Sequence, residues 1–385
     1  MLRLLPWFLI ALYLVLAFQH YCNNRPLWLD EQCVFNNIKQ LSFPLIFQQP
    51  LVDSQQFPRF YLFLIQQLSA VFNYHQLALR LLPLLAMIGA FSIWLLIARR
   101  EIHSNLDRCL FIVMWLASTP LIYYAAELKQ YSADVLACAV VVFFLLHQSK
   151  HLLLLAIVPL LGLFSYPVFI LFPLIIWNLI VTVKQSTLRT LLPLGVFCLS
   201  LIIVVLIVYL IDLRYSNALN LTHYWRDCMI SFESPGEFFK TLGEGFNNLI
   251  SRWFAEKPKW MRMAARPLLG LGLIYLITNC WKFFKRDGFK FCSLTPIAAG
   301  ILSGHLLLGM LHQYPFVVPR TSLFFAPILM MVTIKAKEAI YRRWPMLGNV
   351  MLVMMGMYLC SVTLGIFREV FIHGDLGAQT VLWQK

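Results

Sequence analysis

Long apolar runs alternate with short polar segments over most of the 385-residue chain. An α-helix needs about 20 apolar residues to cross a bilayer, so each long run is a candidate span. The runs cover residues 4–21, 77–98, 109–126, 133–147, 152–165, 167–183, 190–211, 266–281, 291–311, 318–334 and 346–366. The pattern predicts an all-α, polytopic transmembrane protein with about eleven spans.

Two segments decide how many times the chain crosses. Arg59 to Phe72 is apolar but short, and its glutamines and serine favour a helix that lies at the membrane interface. Residues 152–183 would form a helix about 48 Å long, with the sequence Ser165-Tyr166-Pro167 near its middle. Because proline interrupts a helix, we interpret this run as two short spans joined by a turn.

The composition narrows the class of protein. Hydrophobic residues make up 60% of the chain and charged residues only 12%, with a mean hydropathy of +0.74. Soluble domains carry about 25% charged residues, so an ordinary soluble enzyme, a disordered protein and a repeat scaffold are excluded. The net charge of +14 comes from basic clusters between apolar runs. These are typical of topology determinants, and we predict no nucleic-acid partner.

The basic clusters also predict the topology. With the amino terminus inside, the clusters around Arg99, Lys150, Lys184, Lys285 and Arg342 face the cytoplasm, as the positive-inside rule requires. Two long segments, residues 22–76 and 212–265, then lie on the outer face. We predict an amino-terminal membrane module (1–211), a second outer segment with a basic, aromatic helix (212–265), and carboxyl-terminal helices with a short outer tail (266–385).

Nine cysteines include no Cys-x-x-Cys pair, and most lie within apolar runs. They are interpreted as small apolar residues of helices. Cys22 and Cys33 share the first outer segment and could pair if that compartment is oxidising.

Adjacent acids follow the first span, at Asp30 and Glu31. Carboxylates close to a membrane are costly to desolvate and are often functional. Neighbours on a helix point about 100° apart, so one of them can face a pocket while the other braces it. The alternative interpretation is a helix-capping aspartate with a glutamate in the first turn.

A second acidic group occupies the next outer turn, which reads Tyr123-Tyr124-Ala125-Ala126-Glu127-Leu128-Lys129-Gln130-Tyr131-Ser132. If the segment is helical, Glu127, Gln130 (or Tyr131) and Asp134 form one polar face. The alternative is a belt of interfacial tyrosines and lysine, which leaves Asp134, inside a span, unexplained.

Near the carboxyl end, Arg320 opposes the charge bias because it lies at an outer helix end, after a turn that begins with His312. It requires a carboxylate, a lipid headgroup or a bound phosphate as partner, unless it only extends to the membrane surface. Lys259 and Arg262 lie among tryptophans in the second outer segment, a pattern typical of an anion-attracting interfacial helix.

The order of these features resembles the GT-C superfamily of integral-membrane glycosyltransferases, in particular the protein mannosyltransferase and aminoarabinose-transferase-like branch (glycosyltransferase family 39). The resemblance rests on the Asp30-Glu31 pair after the first span, the helix beginning near Pro58, Ala78-Leu79-Arg80-Leu81-Leu82-Pro83, the Glu127–Tyr131 turn and a late Arg320. It covers residues 1–150 well and 150–320 more loosely. This chain has one proline before the aromatic helix start, where the family commonly has two.

The resemblance implies a transferase in a cell (inner) membrane, with its active site on the outer, periplasmic face. The donor would be a polyprenyl-phosphate-linked sugar, and the acceptor a lipid-linked glycan, a lipid or a protein. Asp30 would act as general base beside Glu31. Lys129 and Arg320 would bind the phosphate, with Arg262 or Lys259 as alternatives, and Glu127, Tyr131, Asp134 and His312 would position the sugar or the acceptor. Some relatives hold a divalent cation with acids of the first two outer loops, and Asp30, Glu127 and Asp134 could do so here for Mg or Mn. Because basic groups could replace the metal, metal use stays open.

Two other classes stay open on the sequence. A transporter or flippase of lipid-linked sugars would use the outer acids to line a pathway, but it is expected to have related halves, and no internal repeat is evident. A polysaccharide polymerase or ligase of another membrane fold would use outer arginines and histidines without the early acidic pair.

Overall fold

The computed structural model describes residues 4–53, 55–148, 151–183, 191–216, 225–254, 259–316, 318–374 and 376. These residues form an all-helical structure with no β-strand among them, which confirms the predicted all-α class. The α-helices of this part of the chain are α1 (Leu5–Cys22), α2 (Leu29–Gln40), α3 (Leu45–Gln48), α4 (Arg59–Val71), α5 (Gln76–Glu101), α6 (Asn105–Leu116), α7 (Thr119–Tyr123), α8 (Tyr131–His147), α9 (Leu152–Ile157), α10 (Phe172–Val183), α11 (Leu191–Val208), α12 (Pro235–Ser251), α13 (Lys259–Arg286), α14 (Leu294–Met310), α15 (Ala326–Arg343) and α16 (Pro345–Arg368).

Five helical segments are long and apolar enough to cross a membrane. They are Leu5–Cys22, Gln76–Glu101, Leu191–Leu213, Met263–Arg286 and Pro345–His373. A sixth is present if Asn105–Leu116 and Thr119–Ala126 are counted as one span, although they meet at an angle of 65°. The chain is therefore a multi-pass membrane protein by the length and composition of its helices.

The remaining apolar runs form shorter helices, so the count of eleven spans stays a prediction. Tyr131–His147 and Leu294–Met310 have 17 residues each, about 26 Å of helix against a hydrocarbon core of about 30 Å. Residues 152–183 contain two 3₁₀ turns, Val158–Leu163 and Pro167–Ile170, between α9 and α10. The predicted break near Ser165 is present, but the flanking elements are shorter than the predicted spans.

The first outer segment has a small hydrophobic core of its own. The predicted interfacial helix is α4, and its buried face carries Tyr61, Leu62 and Ile65. These side chains belong to the same buried cluster as Val34 and Ile38 of α2. Their packing stabilises α2 against α4 and thereby fixes the direction in which the beginning of α2 points.

An ion pair connects this segment to a distant span. Arg59, at the start of α4, is 3.2 Å from Asp212, which lies in a π-helical turn at the end of the Leu191–Leu213 segment. The Arg59 guanidinium also donates to the carbonyls of Ile46 and Gln49. Both charged side chains are almost fully buried.

The larger buried cluster of the described residues includes side chains of α1, α5, α6 and α8 and extends through α13, α14 and α15. Tyr13, Phe91 and Trp115 form an aromatic group within it. The ring centroids of Tyr13 and Phe91 are 4.2 Å apart, and those of Phe91 and Trp115 are 5.1 Å apart. All nine cysteines are free thiols, so the Cys22–Cys33 pairing is not formed here. The division into residues 1–211, 212–265 and 266–385 stays a prediction.

Candidate active site

Glu31 is the fully buried centre of a charged cluster at the start of α2. Its carboxylate lies 2.8 Å from a guanidinium nitrogen of Arg25 and 2.8 Å from one of Arg80. It also accepts hydrogen bonds from the backbone N–H groups of Leu128, at 2.8 Å, and Trp28, at 3.3 Å. Because these partners occupy both oxygens, Glu31 holds three chain segments together.

The cluster follows from the local sequence. Arg80 lies in the first turns of the apolar helix α5, where an unpaired charge would be costly. Glu31 at the third position of α2 supplies the compensating carboxylate and also caps the helix. Neither Arg25 nor Arg80 was assigned a role from sequence, although an arginine inside an apolar run is a signal that a buried acid must lie nearby.

Asp30 points away from this centre and is the more accessible of the two acids, with 24% of its side chain exposed. One of its oxygens lies 2.9 Å from Arg320 and 3.9 Å from the Lys129 ammonium. The adjacent acids therefore differ in environment, as the 100° offset along a helix predicts. Asp30 is a partly exposed carboxylate between two cations.

Lys129 is buried beside Asp30, and its ammonium donates to the Gln55 side chain at 2.8 Å. Burial lowers the pKa of Lys129, while the carboxylates of Asp30 and Glu127 oppose that decrease. Gln55 was not identified from sequence, because nothing distinguishes it from the neighbouring glutamines.

Glu127 accepts a hydrogen bond from the indole of Trp28 at 3.2 Å and is buried. Burial, followed by the charge of Glu31, raises the pKa of Glu127 to about 8. The prediction that Glu127 shares a helical face with Tyr131 and Asp134 is wrong. Glu127 has extended backbone angles, and α8 begins only at Tyr131, because the preceding 3₁₀ turn ends at Ala126.

Tyr131 and Asp134 do lie one turn apart on α8, and both are buried. The Tyr131 ring packs 4.7 Å from that of Tyr124. Asp134 is deeper along the helix, within electrostatic range of the Tyr61 and Tyr314 hydroxyls. Tyr131 therefore lies next to the charged cluster, and Asp134 lies one turn further along α8.

Arg320 is the second residue of a 3₁₀ turn, Pro319–Phe325, that precedes α15. Its side chain is buried, and its guanidinium carbon lies 5.2 Å from the centre of the Trp225 ring. The structure thus supplies the carboxylate partner that the sequence required, Asp30. Trp225 belongs to the second outer segment and was not identified from sequence.

One predicted residue, His312, is not brought to Asp30 by its described contacts. His312 lies instead within 2.9 Å of the Ile230 carbonyl and packs on Phe232, with ring centroids 6.3 Å apart. It lines a separate cavity of about 480 Å³. The side chains of Lys259 and Arg262 lie outside the described part of the structure, so their predicted role stays a prediction.

No group of three or more His, Cys, Asp or Glu side chains within the described residues could hold a metal ion. The candidates Asp30, Glu127 and Asp134 do not form such a group, and the nearest charges to Asp30 are cations. The site offers positive charge for an anion from Lys129 and Arg320, with a carboxylate between them.

Comparisons of this chain with protein-family models, with curated proteins and with solved structures found no match.

Proposed function

We propose that the protein is a membrane glycosyltransferase that moves a sugar from a polyprenyl-phosphate donor to an acceptor hydroxyl on the outer, periplasmic face. The observation that carries the proposal is the placement of Asp30 between Lys129 and Arg320, from two distant segments of the chain. This arrangement supplies a proton acceptor and two cations within one small volume.

The reaction we propose is a single displacement with inversion. The acceptor oxygen forms a bond to the anomeric carbon while the bond from that carbon to the phosphate oxygen breaks. The acceptor proton passes to the Asp30 carboxylate, and both bonding electrons leave with the polyprenyl phosphate. Because the alcohol loses its proton only as the new bond forms, a carboxylate suffices as the general base.

The leaving group is a phosphodiester that becomes a monoester with an additional negative charge. Lys129 and Arg320 would stabilise that charge through short, charge-assisted hydrogen bonds. Both cations contact Asp30 in the donor-free structure. A donor phosphate would compete for them and leave the carboxylate freer to accept a proton.

The remaining acids have supporting roles in this scheme. Glu31 positions the start of α2 through Arg25 and Arg80, and it does not contact the reacting atoms. Glu127, Tyr131 and Asp134 would orient sugar hydroxyls or Lys129. The acceptor would be a lipid-linked glycan, a lipid or a protein, reached from the outer face.

The substitution Asp30→Asn tests the proposal, because it retains the shape of the side chain and removes its ability to take a proton. We expect sugar transfer to fall by roughly 10²- to 10⁴-fold, with normal expression and membrane insertion. The assay follows radiolabel from a panel of polyprenyl-phosphate sugars with purified protein in detergent.

The matched control is Asp53→Asn, an exposed aspartate of the same outer segment that accepts a hydrogen bond from Asn36. It should transfer sugar as the unsubstituted protein does. Near-normal transfer by Asp30→Asn would remove Asp30 from the mechanism. A transporter or flippase would leave every labelled donor chemically intact, whereas a transferase should hydrolyse its donor slowly without an acceptor.

A further inference from the structure

A cavity of about 340 Å³ lies at the opposite end of α5 from the Asp30 site. It is enclosed by the last turn of α5, the carboxyl ends of α13 and α15, and the first turn of α14. Arg80 and Arg100 are about 30 Å apart along α5, which is the thickness of a hydrocarbon core. The cavity therefore lies near the other membrane surface.

Positive charge predominates in the lining of this cavity. The basic side chains are Arg100, Arg286, Lys335 and Arg342, and the carboxylates are Glu101 and Glu338. One carboxylate, Glu101, is shared by Lys335 at 3.2 Å and Arg100 at 3.6 Å. Arg342 has no carboxylate within 4 Å among the described residues, so the lining retains cationic capacity for an anion.

The backbone adds further donors. Helix α14 begins at Leu294 with its first turn facing the cavity, and no side chain caps it. The hydroxyl of Ser293, the residue before it, is buried and has no hydrogen-bond partner in the described structure. Leu294 and Thr295 supply the backbone N–H groups of this turn, because Pro296 has none and the Ile297 N–H donates to the Ser293 carbonyl. N–H groups at a helix start, together with arginines, are a recurrent phosphate-binding arrangement.

The remaining wall is aromatic. Tyr275 and Phe283 line the cavity from α13, which contains the candidate span Met263–Arg286. The outward side chains of that span include the exposed Ile274, Ile277 and Trp281. A ligand with a phosphate in the cavity could therefore extend acyl chains along α13.

We propose that this cavity binds the phosphate of an anionic phospholipid headgroup, on the membrane face opposite the Asp30 site. Arg342 would be the principal charged contact, with Arg100, the Ser293 hydroxyl and the N–H groups of Leu294 and Thr295 completing the site. The proposal is independent of the proposed transferase activity.

The test is lipid binding to the purified full-length protein in detergent. The probes are short-chain phosphatidylglycerol, short-chain phosphatidylcholine and inorganic phosphate, followed by native mass spectrometry and thermal shift. We expect saturable binding of phosphatidylglycerol, and weaker binding of phosphatidylcholine. Arg342→Gln should weaken phosphatidylglycerol binding by roughly three- to tenfold.

The matched control is Arg343→Gln, which removes the same charge from the next residue of α15. Arg343 is exposed, contacts Trp344 and does not line the cavity. Equal losses for the two variants would show nonspecific surface attraction and overturn the proposal. Equal binding of the two lipids, or binding of inorganic phosphate without phosphatidylglycerol, would also overturn it.

Discussion

The charged residues at the two ends of α5 are organised in opposite ways. At the Asp30 end, Glu31, Arg25 and Arg80 are buried and pair with one another over 2.8 Å contacts. At the other end, Arg100 is 40% exposed, and cations outnumber carboxylates around the cavity. The first arrangement fixes the geometry of a site in advance, whereas the second leaves charge available for a ligand at the membrane surface.

The largest effect is expected from Glu31→Gln, which tests whether the buried pairs maintain the structure. The change removes the carboxylate from two buried arginines, and leaving buried charges without compensation costs about 3–5 kcal/mol. Thermal unfolding in detergent should therefore shift to a much lower temperature.

The control is Glu233→Gln, which breaks the exposed pair with Arg226. It should leave the unfolding temperature almost unchanged. If the two variants unfold at the same temperature, the buried ion pairs of Glu31 stabilise the fold no more than the exposed pair of Glu233 does.

Arg320→Ala is expected to have the next largest effect, on donor binding. Loss of one charge-assisted contact to the donor phosphate should raise the donor concentration needed for half-maximal transfer by roughly 10- to 100-fold. Arg226→Ala, an exposed arginine next to Trp225 in the chain, serves as control. An unchanged donor requirement for Arg320→Ala would limit Arg320 to a structural partner of Asp30.

Glu127→Gln tests the buried Asp30 end of α5 through the pH dependence of the free energy of unfolding. The folded protein holds the Glu127 proton up to about pH 8, whereas the unfolded chain releases it near 4.5. Between these values the folded state binds more protons, so the free energy of unfolding falls as pH rises. Between pH 4.5 and 8 the free energy of unfolding should decline less in Glu127→Gln than in the unsubstituted protein, by at most about 5 kcal/mol. Unfolding temperatures measured across this range check the prediction. Parallel pH profiles would show that Glu127 does not titrate as its environment indicates.

The smallest effect is expected from Arg100→Gln at the exposed end of α5. Ion pairs with exposed partners contribute about 0–1 kcal/mol, so we expect a change in unfolding free energy of about 0.5 kcal/mol or less. Unfolding in denaturant, measured beside Glu31→Gln, checks this. A loss of stability as large as that of Glu31→Gln would show that the charged residues at the two ends of α5 contribute equally to stability.

Helical class and the helix at Arg59–Val71 could be predicted from sequence because apolar period and run length carry that information. The proximity of Asp30 to Lys129, also expected, is observed at 3.9 Å. The number of spans could not be fixed in the same way. The bend between Leu116 and Thr119, and the 3₁₀ turns within 152–183, shorten helices without changing their hydrophobicity.

The site was predicted least well where partners come from distant segments. Trp28, Gln55 and Trp225 contact the acidic and basic residues of the site, yet none is unusual in its local sequence. Glu127 was placed on a helical face because its spacing fitted one, but the backbone is extended there. The spacing of residues identifies a shared helical face only where the backbone is in fact helical.

The ion pair between Arg59 and Asp212 restricts how far the first outer segment can separate from the end of the Leu191–Leu213 span. The Arg59 side chain also contacts two backbone carbonyls of the first outer segment, so separating that segment from the end of the Leu191–Leu213 span would break several buried contacts at once. The first outer segment and the end of that span should therefore move together as one rigid unit.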